Sequence, residues 1–148
     1  MKRRSLLQTA VLGAGIFLLA PARGLALGGP SPEVGIKAPD FDLAGFSSVH
    51  PDQKHWSLTD LKGRWLVVYF YPRDFTSGCT IEAHGFQDAL PAFQQQGAEV
   101  IAISADSVGD HESFCSSEEL KFPLLSDPDG VVSKAYGSWM APYSLRHT

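Results

Sequence analysis

With 148 residues the chain has room for one domain and not two. It carries 12 Lys and Arg against 16 Asp and Glu, and no basic run follows residue 4, so the electrostatic footprint of a nucleic-acid binder is missing and no nucleic-acid partner is expected. Its two cysteines, Cys79 and Cys115, are too few for a disulfide-dense scaffold or a four-thiolate zinc site.

The first 27 residues read as a targeting segment. Lys2, Arg3 and Arg4 form a basic head, and Ala10 to Ala22 is an apolar or small stretch of 13 residues, short of the roughly 20 that span a bilayer. Small residues at Ala20-Pro21-Ala22 complete the pattern of an export signal. Arg3-Arg4-Ser5-Leu6-Leu7-Gln8 also resembles a twin-arginine signal, which points to a periplasm or a thylakoid lumen. An uncleaved membrane anchor is the alternative. Residues 28–33 form a linker, and 34–148 the folded domain.

Val34 to Leu43 is a partly extended leading segment interrupted by proline, and 44–56 has the Ser, His and Asp content of a surface loop. Ser57 to Gly63 predicts one helical turn stopped by glycine. Trp65 to Tyr71, W-L-V-V-Y-F-Y, is an unbroken apolar run rich in β-branched and aromatic residues, which predicts a strand buried on both faces. A long helix should run from about Thr76 to Gln96, with Ile81, Phe86, Leu90 and Phe93 at helical spacing and Pro91 as a candidate kink. Val100 to Ile103 predicts a second buried strand. Val108 to Leu120 predicts a helix carrying Cys115, and Phe122 to Leu125 a third strand. A turn at Asp127-Pro128-Asp129-Gly130 leads to a short helix over Val131 to Tyr136. Alternating strands and helices indicate a parallel α/β sheet.

Cys79 therefore falls just after a buried strand and at the start of a helix, where free N–H groups and the helix dipole favour an anion. Thr76 can direct a hydroxyl toward the same point, and Pro72, lacking an N–H, can wall the pocket from water. The stretch P-R-D-F-T-S-G-C at 72–79 resembles the P-x-x-x-T-x-x-C signature of the peroxiredoxins. The wider Y-F-Y-P-R-D-F-T-S-G-C-T-I-E-A is similar to the Q-type subfamily, also called bacterioferritin-comigratory proteins. A-P-D-F-D-L at 38–43, F-P-L-L-S-D at 122–127 and Arg146 extend the likeness over about 34–148. The resemblance implies a thioredoxin-like fold and a thiol peroxidase that needs no cofactor or metal. Its partners would be a hydroperoxide substrate and a thioredoxin-like reductant, and the chain a monomer or weak dimer. It assigns Cys79 as the peroxidatic cysteine, Thr76 as hydrogen-bond donor to thiolate and peroxide, Pro72 as shield and Arg146 as stabiliser of the transition state.

The chain also departs from the subfamily. Ser77 replaces a usual proline. His84 occupies the place where many members carry a resolving cysteine, which leaves Cys115, 36 residues after Cys79, as the resolving candidate. A permanent structural disulfide between the two, natural after export, is the alternative. His111, four residues before Cys115, has a spacing open to a shared metal but no further ligand nearby in sequence. The family continues beyond Arg146-His147-Thr148 with a strand, a turn, another strand and a closing helix. A truncated domain of low stability and weak activity is therefore expected. Three rival functions stay open: a thiol–disulfide oxidoreductase, in which Thr76 would have to be a cysteine; a copper-delivery module, in which Ala83 would have to be one; and an inactive truncated homologue.

Overall fold

In the computed structural model, residues 30–139 are described. Residues 1–27, read from the sequence as an export signal, and Arg146 lie outside them. The elements run β1 (Asp42–Phe46), β2 (His55–Ser57), β3 (Trp65–Phe70), α1 (Ser77–Gln95), β4 (Ala98–Ser104), α2 (Val108–Ser117), β5 (Leu124–Ser126) and α3 (Val131–Ala135). They form one sheet of order β2-β1-β5-β4-β3. β3, β4 and β5 are parallel, as the alternation of strands and helices predicts. β1 and β2 add an antiparallel side that the sequence reading had placed in a leading segment and a loop. Gly45 lets β1 close on β5: a Cβ there would stand 2.5 Å from the Leu124 carbonyl oxygen.

β4 divides the core. Along it Val100 and Ala102 join a cluster with Cys79, Ala83, Leu90, Phe114 and Cys115, while Ile101 and Ile103 join Phe41, Trp56, Leu125 and Val132 on the other face. This is the period of two that a strand imposes. α1 and α2 therefore cover one face of the sheet, and α3 contributes Val132 to the other.

The structure corrects four expectations. β3 is not buried on both faces. Trp65 is 77% exposed and the rest of the strand is half-buried, because among the described residues β3 ends the sheet with only β4 beside it. β4, with a strand on each side, is the two-sided strand instead. Ile81 is exposed; the inward face of α1 runs through Cys79, Ala83, Phe86, Leu90 and Phe93. Residues 58–63 are not a helical turn. They make successive turns, with Asp60 N–H donating to Ser57 O, Lys62 N–H to Thr59 O and Arg64 N–H to Leu61 O, and end at Gly63 with φ +85°. α2 stops at Ser117, three residues earlier than predicted. Glu119 turns left-handed there (φ +54°), and Leu120 N–H donates back to the Cys115 carbonyl.

α2 starts under a reciprocal cap. The Ser107 hydroxyl accepts from Asp110 N–H, and the Asp110 carboxylate accepts from Ser107 N–H. Pro91 leaves α1 unbroken from Ser77 to Gln95.

Candidate active site

β3 carries the chain to the C-terminal edge of the parallel strands. Tyr71 N–H still donates to Ile103 O (3.1 Å), and then the chain leaves the sheet. The loop that follows is fixed at Asp74, which is 5% exposed. Its N–H donates to Asp106 Oδ2 (2.9 Å), its Oδ1 accepts from the Tyr71 hydroxyl (2.6 Å), and its Oδ2 accepts from His111 Nδ1 (2.7 Å). Burial and the neighbouring Asp74 charge push the Tyr71 phenol well above its ordinary range. Phe75 comes next at φ +59°, a left-handed conformation that is strained for a residue with a Cβ. Its ring meets Phe114 of α2 edge-on, with centroids 5.1 Å apart.

Thr76 is the N-cap of α1, extended at φ −83° and ψ 143°. Its hydroxyl donates to the Arg73 carbonyl (3.2 Å), and its own carbonyl accepts the first bond of the helix from Thr80 N–H (2.9 Å). The N–H groups of Ser77, Gly78 and Cys79 precede that bond and have no intrahelical acceptor. The first turn of α1, which carries Cys79, thus has N–H donors left over from the helical ladder. Cys79 itself is 6% exposed, and Phe75 and Ile81, four residues before and two after it in sequence, are exposed. Pro72, two residues past the end of β3, is exposed.

Cys115 sits in the same core cluster as Cys79, with no exposed surface, and both are free thiols. Burial, reinforced by the Asp74 charge and opposed by Lys121, pushes the Cys115 thiol up to about 12. An unfolded thiol releases its proton near pH 9.0, so the stability held in this group is complete below that pH and is lost as pH rises through the folded value. At pH 8 Cys115 is therefore held as the thiol and not the thiolate. Iodoacetamide at that pH should therefore leave Cys115 of the reduced folded chain unmodified over a period that alkylates it fully in denaturant. Equal rates, read by peptide mass, would contradict this.

Of the residues singled out from sequence, Pro72, Thr76 and Cys79 share one loop and helix start, and Cys115 joins them through the core. His84, at the alternative resolving position, instead bonds Glu118 just past the end of α2 (2.9 Å). Asp74, Tyr71 and the Asp74 bond to His111 were missed. The available signal was an Asp inside the cysteine loop and a His one turn before Cys115, on the same helix face.

The profile of the AhpC/TSA family matches residues 34–148. Bacillus subtilis peroxiredoxin Bcp is 38% identical over 107 residues, covering 72% of this chain and 65% of that one. Chloroplastic peroxiredoxin Q of Oryza sativa subsp. japonica is 44% identical over 103 residues, covering 70% and 45%. The chain thus spans less than two thirds of either relative. The solved Xanthomonas campestris peroxiredoxin Q superposes with a TM-score of 0.60 at 38% identity, covering 65% of this chain and 58% of that one. It has also been solved as two cysteine-to-serine mutants whose positions lie 36 residues apart, the separation of Cys79 and Cys115. A bacterioferritin comigratory protein of the same organism has been solved in trapped intermediate and ligand complexes bearing on alkyl peroxide reduction. The parallel β3-β4-β5 core, the cysteine at the first turn of α1 and the profile over 34–148 place this thioredoxin-like chain in the AhpC/TSA family.

Proposed function

We propose that the chain is a thiol peroxidase that reduces hydrogen peroxide and organic hydroperoxides. The observation that carries this is Cys79, held at the third helical position of α1 among N–H groups with no intrahelical acceptor. The thiolate attacks one peroxide oxygen and the O–O bond breaks. Cys79 becomes a sulfenic acid, and the other oxygen leaves as water or an alcohol after taking up a proton. The Ser77, Gly78 and Cys79 N–H groups are the donors proposed for the peroxide; the Thr76 hydroxyl, which donates to the Arg73 carbonyl here and not toward Cys79 as expected from the sequence, would have to turn from it to join them, and Arg146 is proposed as a further donor. Pro72 supplies a wall without a competing N–H. The exposed Phe75 and Ile81 give the rim an apolar character suited to an alkyl hydroperoxide, and the alkyl peroxide reduction of the Xanthomonas relative supports the same class.

Cys115 is the proposed resolving cysteine. Its thiol attacks the Cys79 sulfur, an S–S bond forms, the S–O bond breaks, and the leaving hydroxide joins the Cys115 proton as water. A thioredoxin-like dithiol then reduces the disulfide. Residues 1–27 are proposed to direct export, on the strength of the basic head and short apolar stretch. After one equivalent of peroxide, peptide mass mapping should find a 79–115 link. A mixed disulfide of Cys79 with added thiol, and no internal link, would make it a one-cysteine peroxidase.

A further inference from the structure

We propose that Asp74 and His111 form a positioning clasp: their bond holds the loop presenting Cys79 against α2, and its opening releases Cys115 for attack on oxidised Cys79. The proposal rests on the peroxidase reading.

The bond joins the two segments that carry the cysteines. Asp74 lies five residues before Cys79, and His111 lies four before Cys115. Both side chains are buried, at 2% and 0% exposure, and the contact is 2.7 Å. With Asp74 as a carboxylate, which only accepts, His111 Nδ1 is the donor of this bond. Both Asp74 oxygens are taken, one by His111 and the other by Tyr71, while its N–H is held by Asp106. Among the described residues His111 Nε2 has no hydrogen-bond partner, and it has no exposed surface. An imidazole enclosed with half its polar groups unsatisfied adds little to a core that an apolar residue would fill better, so it calls for another explanation. The Nδ1 bond to the cysteine loop supplies one.

A second contact repeats the link. Phe75, held left-handed directly after Asp74, meets Phe114, the residue before Cys115. The loop is thus fastened to α2 at His111 and Phe114. Thr76 and Cys79 take their places from a turn that these two contacts hold in a strained conformation.

Resolution demands the reverse. Cys115 lies within α2, fully enclosed, and its carbonyl is bonded to Leu120 N–H. The clasp requires that the attack of Cys115 on Cys79 need α2 to loosen, which His111 and Phe114 oppose while seated on the loop. Clasp closed, Cys79 is positioned for peroxide; clasp open, Cys115 is free.

The test uses the full chain as wild type, Asp74→Asn, His111→Gln and the double variant. Rapid mixing with peroxide gives two rates: sulfenic acid formation at Cys79, read with a dimedone trap, and 79–115 disulfide formation, read by quenched alkylation and mass. Losing a charge-assisted hydrogen bond should speed disulfide formation about tenfold and slow Cys79 oxidation, shifting the ratio of the two rates in each single variant. The double variant should match a single one, because one bond is being removed. Cys79 over-oxidation at high peroxide should fall in parallel. Leu125→Ala, a core deletion in the cluster on the other sheet face, controls for general loosening and should leave the ratio unchanged. An unchanged ratio in the clasp variants, additive effects in the double variant, or an equal shift in Leu125→Ala overturns the clasp alone. Sulfenic acid without an internal disulfide in the wild type also overturns it and leaves a one-cysteine peroxidase. No sulfenic acid at Cys79 overturns the peroxidase reading and the clasp together.

Discussion

Cys79→Ser should reduce peroxide consumption by at least about a thousandfold, equivalent to roughly 4 kcal/mol of barrier. A serine hydroxyl nearly matches the thiol in size, so the buried site and the start of α1 should be retained. What disappears is the nucleophile, since an unactivated hydroxyl supplies almost no anion near neutral pH. Cys115→Ser separates the two halves of the reaction: it should consume one peroxide per chain and stop at sulfenic acid. Stopped-flow traces at stoichiometric peroxide, with thermal unfolding to confirm that both variants fold, provide the measurement. Full turnover by Cys79→Ser would place the chemistry elsewhere in the chain.

Phe114→Ala should cost about 3–5 kcal/mol of folding stability, the range for removing a fully buried aromatic ring. Native domains have about 5–15 kcal/mol in total, so this single change would bring the chain close to its limit. The ring has no exposed surface, lies in the cluster that contains both thiols, and packs edge-on against Phe75. Its removal opens a cavity and unfastens one of the two contacts between the cysteine loop and α2. Ile81→Ala is the matching comparison. That residue is 74% exposed and should change stability by no more than about 0.5 kcal/mol. Denaturant titration separates them, and equal midpoints would mean that α2 is not seated as described.

Local sequence carried the parts of this fold that depend on local forces. The parallel strands could be read because β-branched and aromatic runs were bounded by proline or glycine, and α1 because its apolar spacing suited a helix. The β1–β2 hairpin could not. β2 is three residues long with only Trp56 buried, so there was too little alternation to see. The burial of β3 was misjudged because an apolar run does not say whether its strand has neighbours on both sides; that is a property of sheet order. Ile81 was misassigned by choosing the larger apolar residue over Cys79 and Ala83, which occupy the true inward line. At the site, the spacing of Pro72, Thr76 and Cys79 was legible because all three lie within one loop and helix start. Asp74 and His111 were not paired because they are 37 residues apart and meet only through the packing of α2 on the loop. The role assigned to Arg146 falls outside the described residues.

Pro91 gives α1 an internal seam. Proline brings no N–H to the carbonyl four residues back, so the helix runs past Gln87 with one rung of its ladder missing. The Gln87 side chain meanwhile holds Lys121 N–H (2.7 Å), mooring that point to the segment after α2. Beyond the seam, Leu90 and Phe93 are packed into the core; before it, Cys79, Ala83 and Phe86 are packed into the same cluster. Unwinding that starts at Ser77 meets a discontinuity at Gln87 instead of an unbroken cooperative ladder. Fraying of α1 from its reactive end would therefore reach that seam about three helical turns in, after lifting Cys79, Ala83 and Phe86 out of the core.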